Sequence, residues 1–352
     1  MTKVLGLALY GPLAASTRYR LGQYVPGLAE HGIDLRIQCL LGDVYLRRTF
    51  DGGSMPWLTM VRAGWERLRY LCGQGRYDAM MLHCELFPLM PAWVEHYLLR
   101  QPYIYDFDDA FYLKYRTGHL RLLGGALGRK FDSVIHEAAA VTAGNRVLTN
   151  FALQHNPRSN FLPTVVDTNR YLPERRDRGR ELVVGWIGSP STAPYLAELV
   201  APLSAIGKEG AVRLVVIGGH APDIPHVTVE ERAWSEETEV EYINNFDIGV
   251  MPLPDNAWTR GKCAFKLIQY MACGVPVIAS PVGANVDVVR EDCGLLAATE
   301  VEWLEALRNL RDQPKRAAEM GKMGRELVER DYSLRKNLPV LADVIRASAG
   351  QR

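Results

Sequence analysis

Three carboxylates lie within four consecutive positions, at Asp106, Asp108 and Asp109, at the end of an apolar segment that predicts a strand. Like charges this close raise the pKa of at least one member of the group. Such carboxylates can bind a substrate hydroxyl or move a proton. We therefore expect an acceptor-binding or proton-handling group here. A metal-binding pair of aspartates and a helix cap with solvated acids are the alternatives, since Asp readily caps helices.

A second group of polar side chains follows another strand and comprises Arg260, Lys262, Lys266 and Gln269. The pattern predicts a helix from Lys262 to Cys273, on which Lys262, Lys266, Gln269 and Cys273 share one face at i, i+4, i+7 and i+11. Cations and a helix N-terminus are what a bound diphosphate requires. We expect these residues to bind such a ligand, and two merely solvated lysines are the alternative.

A glycine-containing turn at Gly11 separates a first strand from a helix predicted over Thr17 to Ala29. The turn is not G-x-G-x-x-G, so the dinucleotide fingerprint is absent. Arg18 and Arg20 are candidates to meet a diphosphate or an acidic acceptor, with ordinary surface arginines as the alternative.

Two weaker candidates lie further along the first half of the chain. His83 and Glu85 follow a predicted strand and are expected to line an acceptor site, although a packed histidine fits the pattern equally well. The stretch from Pro56 to Arg69 mixes Trp and Arg on a predicted helix. Helices at a membrane interface have this composition, and so do ordinary surface helices.

The composition is that of a soluble globular protein, with 352 residues, 48% hydrophobic and 23% charged. Residues 1–165 carry a net charge of +5 and the remainder −4. This balance disfavours nucleic-acid binding, while the basic first half favours an anionic acceptor or membrane surface. The six cysteines contain no CxxC pair, which predicts free thiols in a reducing compartment and no structural zinc site. No segment reaches the roughly 20 apolar residues of a membrane span, so we expect a cytoplasmic protein, with the inner membrane face as a further location.

Strand and helix patterns alternate through both halves of the chain, which favours parallel sheets covered by helices. The polar segment from Asp167 to Gly179 predicts a linker. We expect one domain over 1–165, a second over 166–332 and a terminal helix within 333–352. The predicted strands are Val4–Tyr10, Leu35–Leu41, Ala79–His83, Pro102–Phe107, Ala140–Ala143, Asn160–Pro163, Glu181–Gly188, Val212–Ile217, Ile248–Met251 and Val275–Ala279. The late predicted helices are Glu300–Leu310, Pro314–Glu329 and Leu334–Ala349.

The segment Ile268 to Ala279, IQYMACGVPVIA, resembles the L-E-x-M-A-x-G-x-P-V-I-A pattern of retaining family 4 glycosyltransferases. The segment Pro163 to Tyr171 resembles their P-N-x-V-D-x-x-x-F pattern. The chain departs from the family at the Glu-x7-Glu pair, where Gly261 and Gln269 stand.

The family usually places an Arg and a Lys after the first strand of the second domain. Here Gly188, Ser189, Ser191 and Thr192 occupy that loop and offer hydroxyls and a helix N-terminus capped by Ser191 or Thr192. We therefore expect the cationic role to have moved to Arg260 and the two lysines.

The resemblance implies a GT-B fold, in which two Rossmann-like α/β domains face a cleft and a C-terminal helix crosses back to the first domain. It implies a UDP- or GDP-linked sugar bound mainly by the second domain, with Gln269 on the ribose. It further implies transfer to a hydroxyl of a glycan or lipid-linked acceptor with retention, no metal or other cofactor, and a leaving diphosphate that accepts the acceptor proton.

On this basis the predicted catalytic residues are Asp106, Asp108, Asp109 and Lys266. The family often carries a His where Asp106 stands. A sugar-nucleotide epimerase of the same architecture and a non-catalytic sugar-nucleotide-binding protein remain as alternatives. A dehydrogenase is disfavoured because the glycine fingerprint is missing.

Overall fold

The computed structural model describes residues 1–350 except 51, 54, 55, 118, 119, 121, 123, 175–178 and 180. The chain forms two compact units. Unit 1 contains Met1–Thr164, Gly261–Cys263 and Leu334–Arg352, and unit 2 contains Val165–Arg260 and Ala264–Ser333. Each unit is built on a six-stranded sheet whose neighbouring strands are all parallel.

The strands of unit 1 alternate with helices along the chain. Its strands are β1 Thr2–Tyr10, β2 Ile33–Leu41, β3 Ala79–His83, β4 Tyr103–Phe107, β5 Ala140–Ala143 and β6 Ser159–Phe161. Its helices are α1 Ala15–Arg20, α2 Val25–Glu30, α3 Asp43–Phe50, α4 Trp57–Cys72, α5 Ala92–Leu98, α6 Gly124–Leu127, α7 Lys130–Glu137, α8 Arg146–Leu153 and, at the end of the chain, α15 Leu334–Ala349.

Unit 2 repeats this alternation. Its strands are β7 Leu182–Ile187, β8 Val212–Ile217, β9 Thr228–Arg232, β10 Ile248–Met251, β11 Val277–Ala279 and β12 Gly294–Leu296. Its helices are α9 Val200–Gly207, α10 Glu239–Asn244, α11 Phe265–Ala272, α12 Ala284–Val288, α13 Glu300–Asp312 and α14 Pro314–Asp331.

The order of strands fixes where each sheet can bind a ligand. In unit 1 the order is β2-β1-β3-β4-β5-β6, and in unit 2 it is β12-β11-β10-β7-β8-β9. The chain direction across the sheet therefore reverses between β1 and β3 in unit 1, and between β7 and β10 in unit 2. Open α/β sheets bind ligands at such switch points, beyond the carboxyl ends of the strands.

The central strands have buried residues at every position, as in β3, β4 and β7. This continuous burial follows from helices covering both faces of a parallel sheet. Helix α15 packs against α2, β3 and β4 of unit 1. The chain thus returns to unit 1 after Ser333.

Several predicted elements are confirmed residue by residue, among them β3, β5, β8, β10 and α15. The strands β9 and β12 were not predicted. β9 is largely exposed, so it lacks the apolar run that signals a buried strand. The predicted linker Asp167–Gly179 lies partly outside the described residues, and in its described part Tyr171 is fully buried in the core of unit 2.

Two predicted helices are wrong in extent. The helix expected over Thr17–Ala29 divides into α1 and α2, because Pro26 fits the first turn of a new helix but not a helix interior. The helix expected from Lys262 begins instead at Phe265, after Ala264 with φ of 53°. Lys262 therefore does not share a helical face with Lys266 and Gln269.

Candidate active site

The switch point of unit 1 brings together side chains that are distant in sequence. β3 and β4 are parallel neighbours, and their register pairs His83 with Asp106 at the carboxyl ends of the strands. Gly11 follows β1, the neighbour of β3 on the other side. The candidate residues of the first half thus meet at one edge of this sheet.

Asp106 is fully buried and accepts four hydrogen bonds. Its Oδ1 accepts from Arg20 Nη2 at 2.5 Å and from Thr142 Oγ1 at 2.6 Å, and its Oδ2 accepts from Arg20 Nε at 3.1 Å. The fourth partner is His83 Nδ1, 2.7 Å from Oδ2. Burial alone would raise the pKa of Asp106, but Arg20 and the hydrogen bonds from His83 and Arg20 outweigh it and hold the pKa well below its usual range.

The ionised Asp106 determines the state of His83. A carboxylate only accepts hydrogen bonds, so Nδ1 of His83 must carry the proton and donate it to Asp106. The other ring nitrogen, Nε2, lies 3.1 Å from Cys84 Sγ and 3.9 Å from Asp108 Oδ1. Asp106 thereby orients His83, in the way that a hydrogen bond to one ring nitrogen commonly orients a catalytic or metal-binding histidine.

Asp108 differs from Asp106 in its exposure, its hydrogen bonds and its pKa. Its side chain is 14% exposed, and its Oδ1 is buried without a hydrogen-bond partner among the described residues. Burial, together with the charge of Asp109, raises the pKa of Asp108 to about 6, despite the opposing effect of His83. Asp108 is therefore the acid of the three with unmet capacity to accept a hydrogen bond.

Three potential metal-ligand atoms converge beside this acid. One donor atom each from His83, Cys84 and Asp108 lies within 4.8 Å of the others. Cys84 has φ of 66°, which turns two consecutive side chains towards the same space. Burial raises the pKa of the Cys84 thiol well above its ordinary value. The thiol is thus protonated at neutral pH, and a metal would have to displace that proton.

Three sequence candidates of unit 1 are held by other groups of the protein. Arg20 is 1% exposed, and its remaining donor, Nη1, binds the Leu162 carbonyl at 2.6 Å. It is a partner of Asp106, so the prediction that it meets a diphosphate or acceptor directly is wrong. Arg18 folds back on its own loop, where its Nη1 donates to the carbonyls of Pro12 and Leu13.

Glu85 is likewise committed to the interior, so its predicted contact with an acceptor is wrong. The side chain is 1% exposed and accepts from Tyr115 Oη at 2.6 Å, Lys130 Nζ at 2.7 Å and Lys114 Nζ at 2.6 Å. Lys130 also pairs with Glu95 at 2.8 Å. A buried carboxylate is tolerated when opposite charges and hydrogen bonds surround it. This network anchors the turn that follows His83.

Gly11 is required by the packing of the first turn. A Cβ at Gly11 would lie 2.3 Å from Asp43 Oδ1, an atom that accepts a hydrogen bond from the Leu13 amide at 2.8 Å. The glycine therefore lets the β1 turn approach the start of α3.

The segment Gly261–Cys263 belongs to unit 1 and lies at this site, ahead of α11. Asn145 caps α8 and donates from Nδ2 to the carbonyls of Gly261 at 2.7 Å and Lys262 at 3.0 Å. Cys263 Sγ donates to the Asp108 carbonyl at 2.9 Å. Lys262 Nζ lies 3.7 Å from Asp109 Oδ1. Sequence reasoning missed Asn145, because an isolated asparagine after a strand gives no signal beyond that of a helix cap.

The switch point of unit 2 holds the second group of candidates. Lys266 lies in the first turn of α11, and its Nζ is 5.3 Å from the centre of the Trp186 ring. A Cβ at Gly188 would lie 2.4 Å from Trp186 and 2.9 Å from Lys266 Cε. Only glycine fits here, so the backbone after β7 closely approaches the lysine. Trp186 was not among the predicted residues, although it lies at the end of a predicted strand.

The hydroxyls of the loop after β7 are arranged differently from the prediction. Ser191 is exposed and its Oγ lies 2.9 Å from Ser189 Oγ. Thr192 precedes a 3-10 helix, but its hydroxyl bonds to the Ser189 carbonyl at 3.1 Å and caps no helix. The predicted cap is therefore wrong, because the element that follows begins with tight 3-10 turns and Pro194.

Gln269 is 5% exposed and belongs to a buried hydrogen-bond chain. Its Nε2 donates to Tyr171 Oη at 2.8 Å, and Tyr171 Oη donates to Glu239 Oε1 at 2.7 Å. Trp234 Nε1 donates to the other Glu239 oxygen at 2.8 Å. An amide can donate to Tyr171, whereas an ionised glutamate could not. This accounts for the glutamine, and its expected contact with a ribose stays a prediction.

Arg260, expected on the diphosphate, is exposed and forms a bidentate pair with Asp255, with contacts of 2.6 and 2.9 Å.

Beside the carboxyl ends of β10 and β11 lies a cavity of about 360 Å³. Leu253, Pro254, Ser280 and Pro281 are among its lining residues. No helix among the described residues is both long and apolar enough to cross a membrane.

The six cysteines are all free thiols, as predicted.

No curated protein sequence is significantly similar to this chain. The structure is similar to several solved structures at low sequence identity. One is sucrose-phosphate synthase from Thermosynechococcus elongatus, with a TM-score of 0.71, 14% identity and 98% of both chains covered.

Two further structures have the same architecture. HepE of Anabaena, solved in complex with UDP and glucose, has a TM-score of 0.71, 12% identity and coverage of 98% of this chain and 100% of that chain. A glycosyltransferase from Rickettsia africae has a TM-score of 0.69, 11% identity and coverage of 100% and 99%. These similarities establish the predicted GT-B fold. Residues 181–313 match the family model described as Glycosyl transferases group 1. The family match, which begins at β7 and includes Lys266, and the fold together support a glycosyltransferase of the GT-B class.

Proposed function

We propose that this protein transfers a glycosyl group from a UDP- or GDP-linked sugar to a hydroxyl of a glycan or lipid-linked acceptor, with retention at the anomeric carbon and without a metal. The observation that carries the proposal is the position of Lys266 at the start of α11, against the glycine loop of the unit 2 switch point. This position lies within the segment that matches the glycosyltransferase family model.

Unit 2 binds the nucleotide sugar in this proposal. The diphosphate needs positive charge and backbone N–H donors, which Lys266 and the first turn of α11 supply. Gly188 and Ser189 allow the backbone after β7 to approach the phosphates closely. The cavity beside Leu253 and Ser280 has room for part of the nucleoside. UDP in the HepE complexes supports testing UDP first.

Unit 1 provides the acceptor side. Asp108, whose side chain is 14% exposed, accepts a hydrogen bond from the acceptor hydroxyl, and His83, held by Asp106, lies 3.9 Å from its Oδ1. The leaving diphosphate takes the proton of the attacking hydroxyl. The protein then contributes orientation of the reactants and electrostatic stabilisation of the departing diphosphate.

Retention and metal independence follow from the family resemblance of the motif after Ile268. The cytoplasm, at the inner face of the membrane, is the location that fits this donor and acceptor. Lys266 supplies the positive charge that a metal ion would otherwise bring to the diphosphate.

Calorimetry with UDP and GDP tests the donor half of the proposal on the full chain. A panel of UDP- and GDP-sugars with and without a hydroxyl acceptor tests the reaction, and NMR of the product gives its anomeric configuration. Retained configuration in a new glycoside supports the proposal. An altered sugar nucleotide formed without acceptor would indicate an epimerase instead. Tight binding of a sugar nucleotide without turnover would indicate a non-catalytic protein.

A further inference from the structure

One face of unit 1 carries both α4 and α5. Parallel strands are joined by right-handed crossovers, and the chain moves in one direction from β2 through β3, β4 and β5. The connecting helices α4, α5 and α7 therefore cover the same face of the sheet. Gln74, just after α4, ties the ends of α4 and α5 together. Its Nε2 donates to the Leu98 carbonyl at 2.8 Å, and its Oε1 accepts from the Arg100 amide at 2.8 Å.

This face exposes several large apolar side chains. Trp57, Trp65 and Trp93 are 71%, 66% and 71% exposed. On α4, Trp57, Val61 and Trp65 are spaced at i, i+4 and i+8, so they form one continuous stripe. We define the α4–α5 surface by its exposed apolar residues, which are Trp57, Leu58, Val61, Trp65, Trp93 and Tyr97. Clustered exposed apolar residues of this size mark an interaction site rather than ordinary surface.

The charges around the surface select one kind of partner. The exposed basic residues of α3 and α4 are Arg47, Arg48, Arg62 and Arg69, whereas Glu66 is the exposed acid in these two fully described helices. Tryptophan with arginine at the border of an apolar stripe is the composition of helices that lie in the membrane interface. A basic rim adds attraction to anionic lipid headgroups.

The surface adjoins the acceptor side of the candidate site. Phe87, four residues after His83, packs in one apolar cluster with Tyr45 of α3 and Ala63 of α4. The loop continues to Leu89, which is 55% exposed and whose amide donates to Tyr115 Oη at 2.9 Å. The segment between the site and α5 is therefore fixed to the same framework that anchors Glu85.

We propose that the α4–α5 surface docks unit 1 on an anionic phospholipid membrane and that the acceptor is a hydroxyl linked to a lipid of that membrane. The docking stands on the surface alone, whereas the lipid-linked acceptor rests on the proposed glycosyl transfer. Docking places the strand ends that hold Asp108 within reach of a membrane-bound headgroup. No covalent anchor or membrane-spanning helix is needed, because the tryptophans insert at the headgroup boundary.

The test is co-sedimentation of the full chain with vesicles of phosphatidylcholine, with and without phosphatidylglycerol. We expect the chain to pellet with the anionic vesicles and to be released as ionic strength rises. The Trp57→Ser/Trp65→Ser variant should bind these vesicles about tenfold or more weakly. A Val286→Ser/Val301→Ser variant, which removes two exposed apolar side chains of unit 2, should bind like the original protein.

Calorimetric binding of UDP by the same variants separates this proposal from the proposed function. Vesicle binding with no UDP binding would uphold the membrane surface and overturn the donor assignment. Equal vesicle binding by both double variants, or no binding by the folded chain, would overturn the surface. A dimer of the original protein that becomes a monomer in Trp57→Ser/Trp65→Ser, with no vesicle binding, would identify a second copy as the partner and also overturn it.

Discussion

The two switch points share one topology and use opposite electrostatic strategies. In unit 1 the charges lie inside the protein and pair with one another, as Asp106 does with Arg20 and Glu85 does with Lys130. In unit 2 the strand ends offer glycine backbone, hydroxyls and Lys266 beside Trp186. The first arrangement orients a few side chains rigidly, whereas the second places a lysine and closely packed glycine backbone at the strand ends. The same fold can therefore carry a positioning site and a binding site.

The contrast is sharpest between two acids of unit 1 that are two residues apart. Asp106 is buried with every lone pair engaged, and Asp108 has a buried oxygen without a hydrogen-bond partner among the described residues. Burial acts on both. The pKa of Asp106 falls because Arg20 and the hydrogen bonds from His83 and Arg20 outweigh its burial. The pKa of Asp108 rises to about 6 because burial and the charge of Asp109 raise it by more than His83 and Arg20 lower it. The neighbours of a carboxylate, rather than its depth, determine its role.

The largest expected effect is that of Asp106→Asn on stability. The substitution leaves the buried guanidinium of Arg20 without its counter-charge, and breaking a buried pair costs about 3–5 kcal/mol. We expect urea unfolding at pH 7 to show a loss of that size. Turnover should also fall, because His83 loses the acceptor of its Nδ1 proton.

Asp109→Asn is the matched control, since its side chain is 34% exposed and lies 3.7 Å from Lys262. It should change the unfolding free energy by less than about 0.5 kcal/mol. The double variant Arg20→Met/Asp106→Leu should recover much of the lost stability but not the activity. If Asp106→Asn unfolds like the original protein, the Arg20–Asp106 pair does not organise unit 1.

The same substitution at Asp108 should have the opposite sign. A folded-state pKa of about 6, above the value near 3.9 of an unfolded aspartate, means that Asp108 favours folding below pH 4 and that this contribution is lost as pH rises through 6. Asp108→Asn should therefore raise the unfolding free energy at pH 8 by up to about 3 kcal/mol and change it little at pH 4.

The Asp108→Asn variant should be less active, although it is expected to be more stable at pH 8. We expect kcat/KM for the acceptor to fall by roughly 10²-fold, the effect of one positioned polar group. In the original protein, the same quantity should decline about tenfold per pH unit below pH 6 as Asp108 becomes protonated. A variant that is neither more stable at pH 8 nor less active would remove Asp108 from the acceptor site.

The fold was largely predictable from the sequence because buried parallel strands are apolar runs, so β3, β5, β8 and β10 could be bounded to the residue. The acids at the end of β4 and just after it were also predictable as a group. Their different roles were not, since Arg20, Thr142 and His83 reach Asp106 from three other elements. Lys262 was misassigned because helical spacing continues through Ala264, whose left-handed backbone starts α11 later. Periodicity cannot detect a single backbone conformation.

A pair of lysines tests the assignment of the donor to unit 2. Lys266→Ala should weaken UDP binding by roughly 10- to 100-fold, which is the size of one charge-assisted hydrogen bond. Lys262→Ala removes the same charge four residues earlier. It should change UDP affinity by less than about twofold, because its ammonium lies near Asp109 of unit 1. Calorimetry on both variants decides between them. Equal losses would restore the single cationic face that the sequence suggested, and no loss from Lys266→Ala would move the diphosphate elsewhere.

The smallest expected effect concerns metals. His83, Cys84 and Asp108 have donor atoms close enough to hold a small cation, and zinc accepts all three ligand types. The proposed reaction assigns the diphosphate charge to Lys266, so exhaustive EDTA treatment should leave kcat and KM unchanged. Cys84→Ser, which keeps the size and hydrogen bonding of the thiol but removes a soft ligand, should retain near-normal turnover. Elemental analysis of the purified protein should find metal far below one equivalent. Loss of turnover in EDTA that Zn²⁺ or Mn²⁺ restores, combined with an inactive Cys84→Ser variant, would show that the buried groups of unit 1 bind a cation. Unit 1 would then hold a metal site, and its assignment as a unit that only positions the acceptor would be wrong.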